Sequence, residues 1–266
     1  MNNYSSSKQV SSNKLPQMLN IGAVLAWSIL LLKYGITGQY RLLIHPNYFY
    51  LMLATAILLL IIGITKIKQL LTTSITTTDN ESHLTIFPPG IGSSLLLLTA
   101  IAGLIIPPTV LASSTALQRG ITEVLPPTRA QPQTFVTQTR PEERSLIEWV
   151  RTLNSYPEPN AYTGQSAKIT GFVIQLPELS DNYLLLSRFI LTCCAVDAYP
   201  VFIPIELPAN TQQYSDDTWL EITGTMTTQT LTIKDRSQTP QEKRRLVLKA
   251  TNIKQIPTPS NPYSYQ

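Results

Sequence analysis

Thiols, imidazoles and acids are scarce in this 266-residue chain, which holds two cysteines and two histidines and is 14% charged. The cysteines, Cys193 and Cys194, are adjacent. A disulfide needs Cα atoms about 4.4 to 6.8 Å apart, and sequence neighbours stand only ~3.8 Å apart, so the two are poor partners for each other. With no third thiol, a disulfide framework is excluded. The spaced cysteine pairs of a closed four-ligand zinc site are missing as well. Neither a Gly-rich phosphate loop nor a paired-acid constellation occurs. Both histidines, His45 and His83, fall in loops between apolar stretches. A hydrolytic enzyme would have no obvious base in the C-terminal half, and the expectation is a non-enzyme.

Acids are scarcest in the first half. Residues 1–141 contain nine Lys or Arg and three acids, Asp79, Glu81 and Glu123. Subtraction from the totals of 20 and 16 leaves eleven bases and thirteen acids after residue 141. The basic character therefore belongs to the first half, where the bases stand singly beside apolar stretches. Nucleic-acid recognition needs a clustered basic face instead.

What the first half does have is long uncharged runs: Leu15 to Leu32, Leu42 to Thr65 and Leu84 to Gln118, the last with an apolar core at Ile91 to Leu111. A bilayer core ~30 Å thick takes roughly 20 apolar residues as a helix. Backbone amides in lipid must also be bonded within their own segment. Three transmembrane helices are expected, at about 15–32, 45–65 and 90–111, in a membrane domain spanning 15–118 behind a polar tail at 1–14. With the N-terminus inside, Lys8, Lys14, Lys66 and Lys68 face Lys33, Arg41, Arg119 and Arg129 across the membrane, an even count. The close pair Lys66 and Lys68 favours N-inside. Three spans then put the C-terminal domain outside the cytoplasm.

A linker rich in Thr, Gln and Pro is expected at 119–140, followed by a soluble domain at 141–266. Pro141-Glu142-Glu143 reads as a helix start. Leu146, Ile147, Val150 and Leu153, with Trp149 beside them, mark one helical apolar face. Short strands follow at Lys168 to Leu176, Tyr183 to Cys193, Val201 to Leu207, Thr218 to Thr227, Gln229 to Lys234 and Arg245 to Lys254. Gly171 inside the first strand marks a bend or bulge. The expected fold is three membrane helices and then an α+β, mostly-β domain: an OB-like small barrel with one N-terminal helix, or else a small sandwich.

Several local patterns stand out: Lys33-Tyr34 with Tyr40 to Pro46, Gly164 with Gly171-Phe172-Val173, Arg188-Phe189 with Cys194 and Asp197, and the terminal Asn261-Pro-Tyr-Ser-Tyr265. In these, and in three spans followed by a β-domain, the chain resembles the YcgQ-like membrane proteins over nearly its whole length. That family is described as subunits of a two-component permease encoded beside a larger multi-span permease. The resemblance implies an accessory transport subunit of the cell (inner) membrane, with the multi-span permease and lipid as partners. Some such members carry a His- and Cys-rich loop between the second and third spans. Here that loop, Lys66 to Pro89, is nearly free of ligands.

Thiolates and imidazoles suit zinc or another thiophilic metal. Cys194, Asp197 and Cys193 are the metal candidates, and Arg188 and His45 the candidates for partner or substrate contact. In a strand, Cys193 and Cys194 face opposite sides. One then packs as a small buried hydrophobe, and the other is left for a metal, redox or partner contact. Asp197 has a turn role open to it ahead of Pro200, and Arg188 is placed to pair with it. An OB-like ligand- or metal-binding module acting apart from transport is the alternative reading.

Overall fold

The computed structural model describes residues 14–72, 90–123, 140–209, 213–234 and 240–265. The chain divides into two compact units, Met1–Pro108 and Thr109–Gln266. The polar tail, His83 and most of the expected linker lie outside the described residues.

In the first unit, helices α1 (Lys14–Thr37), α2 (Phe49–Thr72) and α3 (Ile91–Ile105) carry no acidic residue. The stretches Leu15–Thr37 and Pro46–Thr72 are long and apolar enough to cross a membrane. The third helix has 15 residues, about 22 Å of rise, so a third span is not shown. It stops short of the expected Leu111 because Pro107 and Pro108 follow. Proline supplies no N–H and pushes the residue before it out of the α region, and Ile106 is extended.

The helices meet through small residues and side chain to backbone bonds. The Ser28 hydroxyl, fully buried, donates to the Ala56 carbonyl at 2.8 Å. Trp27 Nε1 donates to Leu96 O at 3.0 Å, and Tyr34 Oη to Gly103 O at 2.8 Å. Between α1 and α2, Tyr40 packs on Phe49 with ring centroids 4.9 Å apart, over a cluster that includes Leu30, Tyr34 and Met52. Lys33-Tyr34 and Tyr40 to Pro46 thus shape one interhelical corner. Ile36, Tyr50, Leu51, Leu71 and Leu98 are exposed on this unit.

The second unit carries β1 (Ser166–Ile174), β2 (Tyr183–Leu191), β3 (Tyr199–Glu206), β4 (Trp219–Lys234), β5 (Pro240–Gln255) and β6 (Tyr263–Tyr265). The sheet order is β1-β4-β5-β3-β2-β6, and β1 also pairs with β2. The pairs β1–β2, β2–β3, β1–β4 and β4–β5 are antiparallel, whereas β3–β5 and β2–β6 are parallel. This is a six-stranded mixed sheet. The strand limits differ from expectation: β1 is Ser166–Ile174 and not Lys168 to Leu176, β5 begins at Pro240 and not Arg245, and β6 is not among the expected strands. The segments either side of Thr228 form one long β4, β3 begins at Tyr199, and β2 ends at Leu191, ahead of the cysteines.

Gly171 sits where β1 passes from β4 to β2. A Cβ there would lie 2.5 Å from Ser187 O and 3.0 Å from Leu186 Cγ. Its role is this close approach, while the bulge itself falls at Thr223/Gly224 in the β4–β5 ladder.

Helix α5 (Leu146–Ser155) starts three residues after Glu143, because Pro141–Glu143 forms a separate 3-10 turn. Ser145 caps it reciprocally: the Ser145 hydroxyl accepts from Glu148 N at 3.3 Å, and Glu148 Oε2 accepts from Ser145 N at 2.7 Å. Leu146, Ile147, Trp149 and Val150 are buried in one core with Ile169, Leu220 and Leu248.

Residues 109–123 belong to this unit too. Helix α4 (Ser113–Arg119) is met at its start by Asp217, whose Oδ1 accepts from Ser113 N at 2.5 Å. Thr122 bridges Val201, and Glu123 forms an ion pair with buried Arg245.

Candidate functional site

Cys193 and Cys194 lie in the loop between β2 and β3, so the opposite-face arrangement expected of a strand is not found. Their Sγ atoms stand 3.6 Å apart, with Cys193 exposed and Cys194 half-buried. Asp197 shapes the loop. Its Oδ2 accepts from Cys193 N at 2.8 Å and from the Thr192 hydroxyl, and its Oδ1 accepts from Cys194 N at 3.1 Å. Asp197 N in turn donates to Cys194 O at 3.1 Å. Successive N–H groups turned to one side form a small anion-binding concavity, filled here by the chain's own carboxylate.

From outside the loop, Arg119 Nη1 donates to Ala195 O at 2.9 Å and to Ala198 O at 2.6 Å. A residue at the end of α4 therefore fixes the far side of the thiol loop. Val196, at its tip, is 85% exposed.

The electrostatics follow from this geometry. Burial alone would raise Asp197, but hydrogen bonds from the Cys193 thiol, Thr192 and the two amides outweigh it and lower the carboxyl to about 2. The Cys193 thiol is pushed up to about 12, first by its hydrogen bond to Asp197 and then by Cys194. Tyr199, at the start of β3, is raised to about 12, chiefly by burial. A carboxylate so low is a weak proton acceptor, and a thiol so high is almost wholly protonated at neutral pH. Neither is tuned for acid–base or nucleophilic work. The thiol and carboxylate ligand atoms of Cys193, Cys194 and Asp197 all lie within 4.8 Å of one another, so three of the expected site residues do converge.

Arg188 does not join them. Its guanidinium lies over the Trp219 ring at 5.6 Å, and Nη2 donates to Asn261 O at 2.7 Å. Burial lowers its pKa, with Tyr265 acting in the opposite direction. Next to it Phe189 stacks on Phe172 at 5.5 Å, meets Tyr263 edge-on at 6.3 Å and pairs with Tyr263 in the β2–β6 ladder. The Arg188-Phe189 and Asn261–Tyr265 patterns thus form one aromatic clamp. Tyr263 Oη extends it by accepting from Leu111 N at 2.8 Å.

His45, in the first unit, is buried and caps the 3-10 turn Pro46–Tyr48, with Nδ1 accepting from Asn47 N at 3.1 Å. That is a structural role. Arg119 and Thr192 were not singled out by sequence.

Two family models match the chain: the DUF1980 N-terminal domain over residues 19–122 and the DUF1980 C-terminal domain over residues 130–266. No curated protein and no solved structure matches it.

Proposed function

The chain belongs to the uncharacterised DUF1980 family, and from that footing we propose that it is an accessory subunit of a membrane permease complex whose β unit contacts the partner or recognises substrate. The observation that carries this reading is the division of labour along the chain. The apolar helices hold no acid, while the β unit holds the thiol–carboxylate loop. Ion pathways usually show ionisable groups inside the membrane; here Lys33, Lys66 and Lys68 stand towards the C-terminal ends of α1 and α2, so helices of this composition suit docking beside a pore more than forming one. Exposed Leu and Ile on the first unit suit lipid or a neighbouring helix.

In this reading α3 is a third, shorter crossing, accommodated by local bilayer thinning. Three crossings in the cell membrane with the N-terminus inside leave the β unit extracytoplasmic. The five pairings that run from β1 through β2, β3, β5 and β4 back to β1 support an OB-like barrel. The permease role of YcgQ-like proteins, which the chain resembles, points the same way.

The test is purification of the full chain from native membranes in mild detergent. Stoichiometric co-purification of a multi-span permease is expected. A lone chain that restores transport in vesicles without a partner would overturn the proposal. A second reading, an OB-like module that binds its ligand apart from transport, is favoured by the exposure of Cys193 and Val196. It predicts full ligand binding and no permease in the purified material.

A further inference from the structure

We propose that the loop 192–197 is a three-ligand site for a divalent cation of the zinc class, with Cys193 Sγ, Cys194 Sγ and an Asp197 oxygen at three corners of a tetrahedron and the fourth corner open. The inference names a ligand for the recognition role given above to the β unit, and rests on that role.

Spacing selects the ion. Tetrahedral zinc–thiolate bonds of about 2.3 Å put two sulfurs ~3.8 Å apart, whereas a linear two-coordinate ion with bonds of that length would need about 4.6 Å. The observed separation, an S–H···S contact, is 3.6 Å, close to the tetrahedral edge, and the carboxylate oxygen lies within 4.8 Å of both sulfurs, near enough for an ion to draw it in. The linear geometry preferred by copper(I) would require the thiols to be forced apart.

Charge selects it as well. A dication placed among the Cys193 and Cys194 sulfurs and the Asp197 carboxylate, whose ligand atoms all lie within 4.8 Å of one another, is attracted by all three once the thiols release their protons to solvent. Two thiolates and a carboxylate around a dication leave one net negative charge, and Arg119 is bonded to the carbonyls on the far side of the same loop. Asp197 has acceptor capacity for the ion. Its Oδ1 accepts from the Cys194 amide and its Oδ2 from the Cys193 amide and the Thr192 hydroxyl, and the bond from the Cys193 thiol is vacated when the ion replaces its proton.

Exposure sets the role. Structural zinc sites are closed by four protein ligands, whereas an open position admits an outside ligand. Cys193 is exposed and Val196 protrudes beside it. A cation held there is reachable by a donor from a partner protein, as a hand-off site requires.

The experiment is a cobalt(II) titration of the full-length chain in detergent, reduced and free of other metals. The expected result is the intense visible spectrum of tetrahedral cobalt with sulfur-to-metal charge transfer, saturating at one equivalent and bleached by zinc. C193S and C194S should each diminish the charge-transfer band, and each of them and D197N should weaken binding at least about tenfold. V196A, on the same loop without a ligand atom, should bind as the unmodified chain does. Any of four results would overturn the proposal: no cobalt binding, a pale octahedral spectrum, unchanged binding in the C193S/C194S double variant, or an equal loss in V196A. Failure here leaves the permease-subunit reading untouched, because co-purification does not depend on cobalt. A chain that purifies alone yet binds one equivalent keeps the site and ends that reading.

Discussion

Replacing Asp197 by Asn in a Cys194→Ser background should make Cys193 react faster, although the substitution adds no positive charge. The carboxylate is the first cause of the thiol's rise from an ordinary 9.0 to about 12, and Asn removes its charge. Were the whole rise due to Asp197, the ionised fraction at pH 8 would go from roughly 1 in 10,000 to roughly 1 in 10, about a thousandfold gain. Cys194, the second cause, is already absent from this background, so that figure is an upper bound. Part of this is returned, because a less basic thiolate is a poorer nucleophile. At about 0.45 logarithmic unit per pKa unit, three units cost roughly 20-fold in disulfide exchange. The net expectation is therefore a faster reaction with an aromatic disulfide reagent, by at most about 50-fold, followed by release of its chromophoric thiol in the presence of a chelator. The exposed position of Cys193 keeps reagent access the same in both proteins. An unchanged or slower rate would refute the claim that Asp197 holds the proton on this sulfur.

Three further outcomes follow from the same structure. Glu123→Gln leaves the buried Arg245 guanidinium without its charged partner, which should destabilise the β unit by about 3 to 5 kcal/mol; thermal unfolding in detergent measures it. Gly171→Ala drives a methyl group against the Ser187 carbonyl, and the same assay should show a loss of roughly 1 to 3 kcal/mol. Asp197 is depressed from 3.8 to about 2. Its contribution to loop stability is thus fully present above pH 3.8 and lost as pH falls towards 2. Protection of the Cys193 and Cys194 amides, taken against the intrinsic exchange rate at each pH, should fall across that window, and flat protection down to pH 2 would contradict it.

The two long apolar helices and the β-rich second unit were legible in sequence because long uncharged runs and strand alternation are direct compositional traces. So was the apolar face of α5, although its start was misplaced: Ser145 and Glu148 carry the cap, and the more conspicuous proline and acids form a separate turn. The third helix was overextended because an uncharged run continues through Pro107-Pro108, where hydropathy stays high while helix geometry fails. At the site, chemistry was legible but conformation was not. The apolar texture of β2 runs on into Thr192-Cys193, and nothing in it announces that Asp197 folds back onto the preceding amides. Arg119 was invisible for another reason. Its carbonyl partners are 76 and 79 residues away, and backbone acceptors leave no signature in side-chain identity.

The most direct test of the account's central claim, that the thiol loop faces a membrane partner, is a photo-crosslinking amino acid placed at Val196 in the full chain and irradiated in native membranes. The account predicts a covalent adduct with a multi-span integral membrane protein. Adducts with soluble proteins only, or none beyond the chain itself, would contradict it.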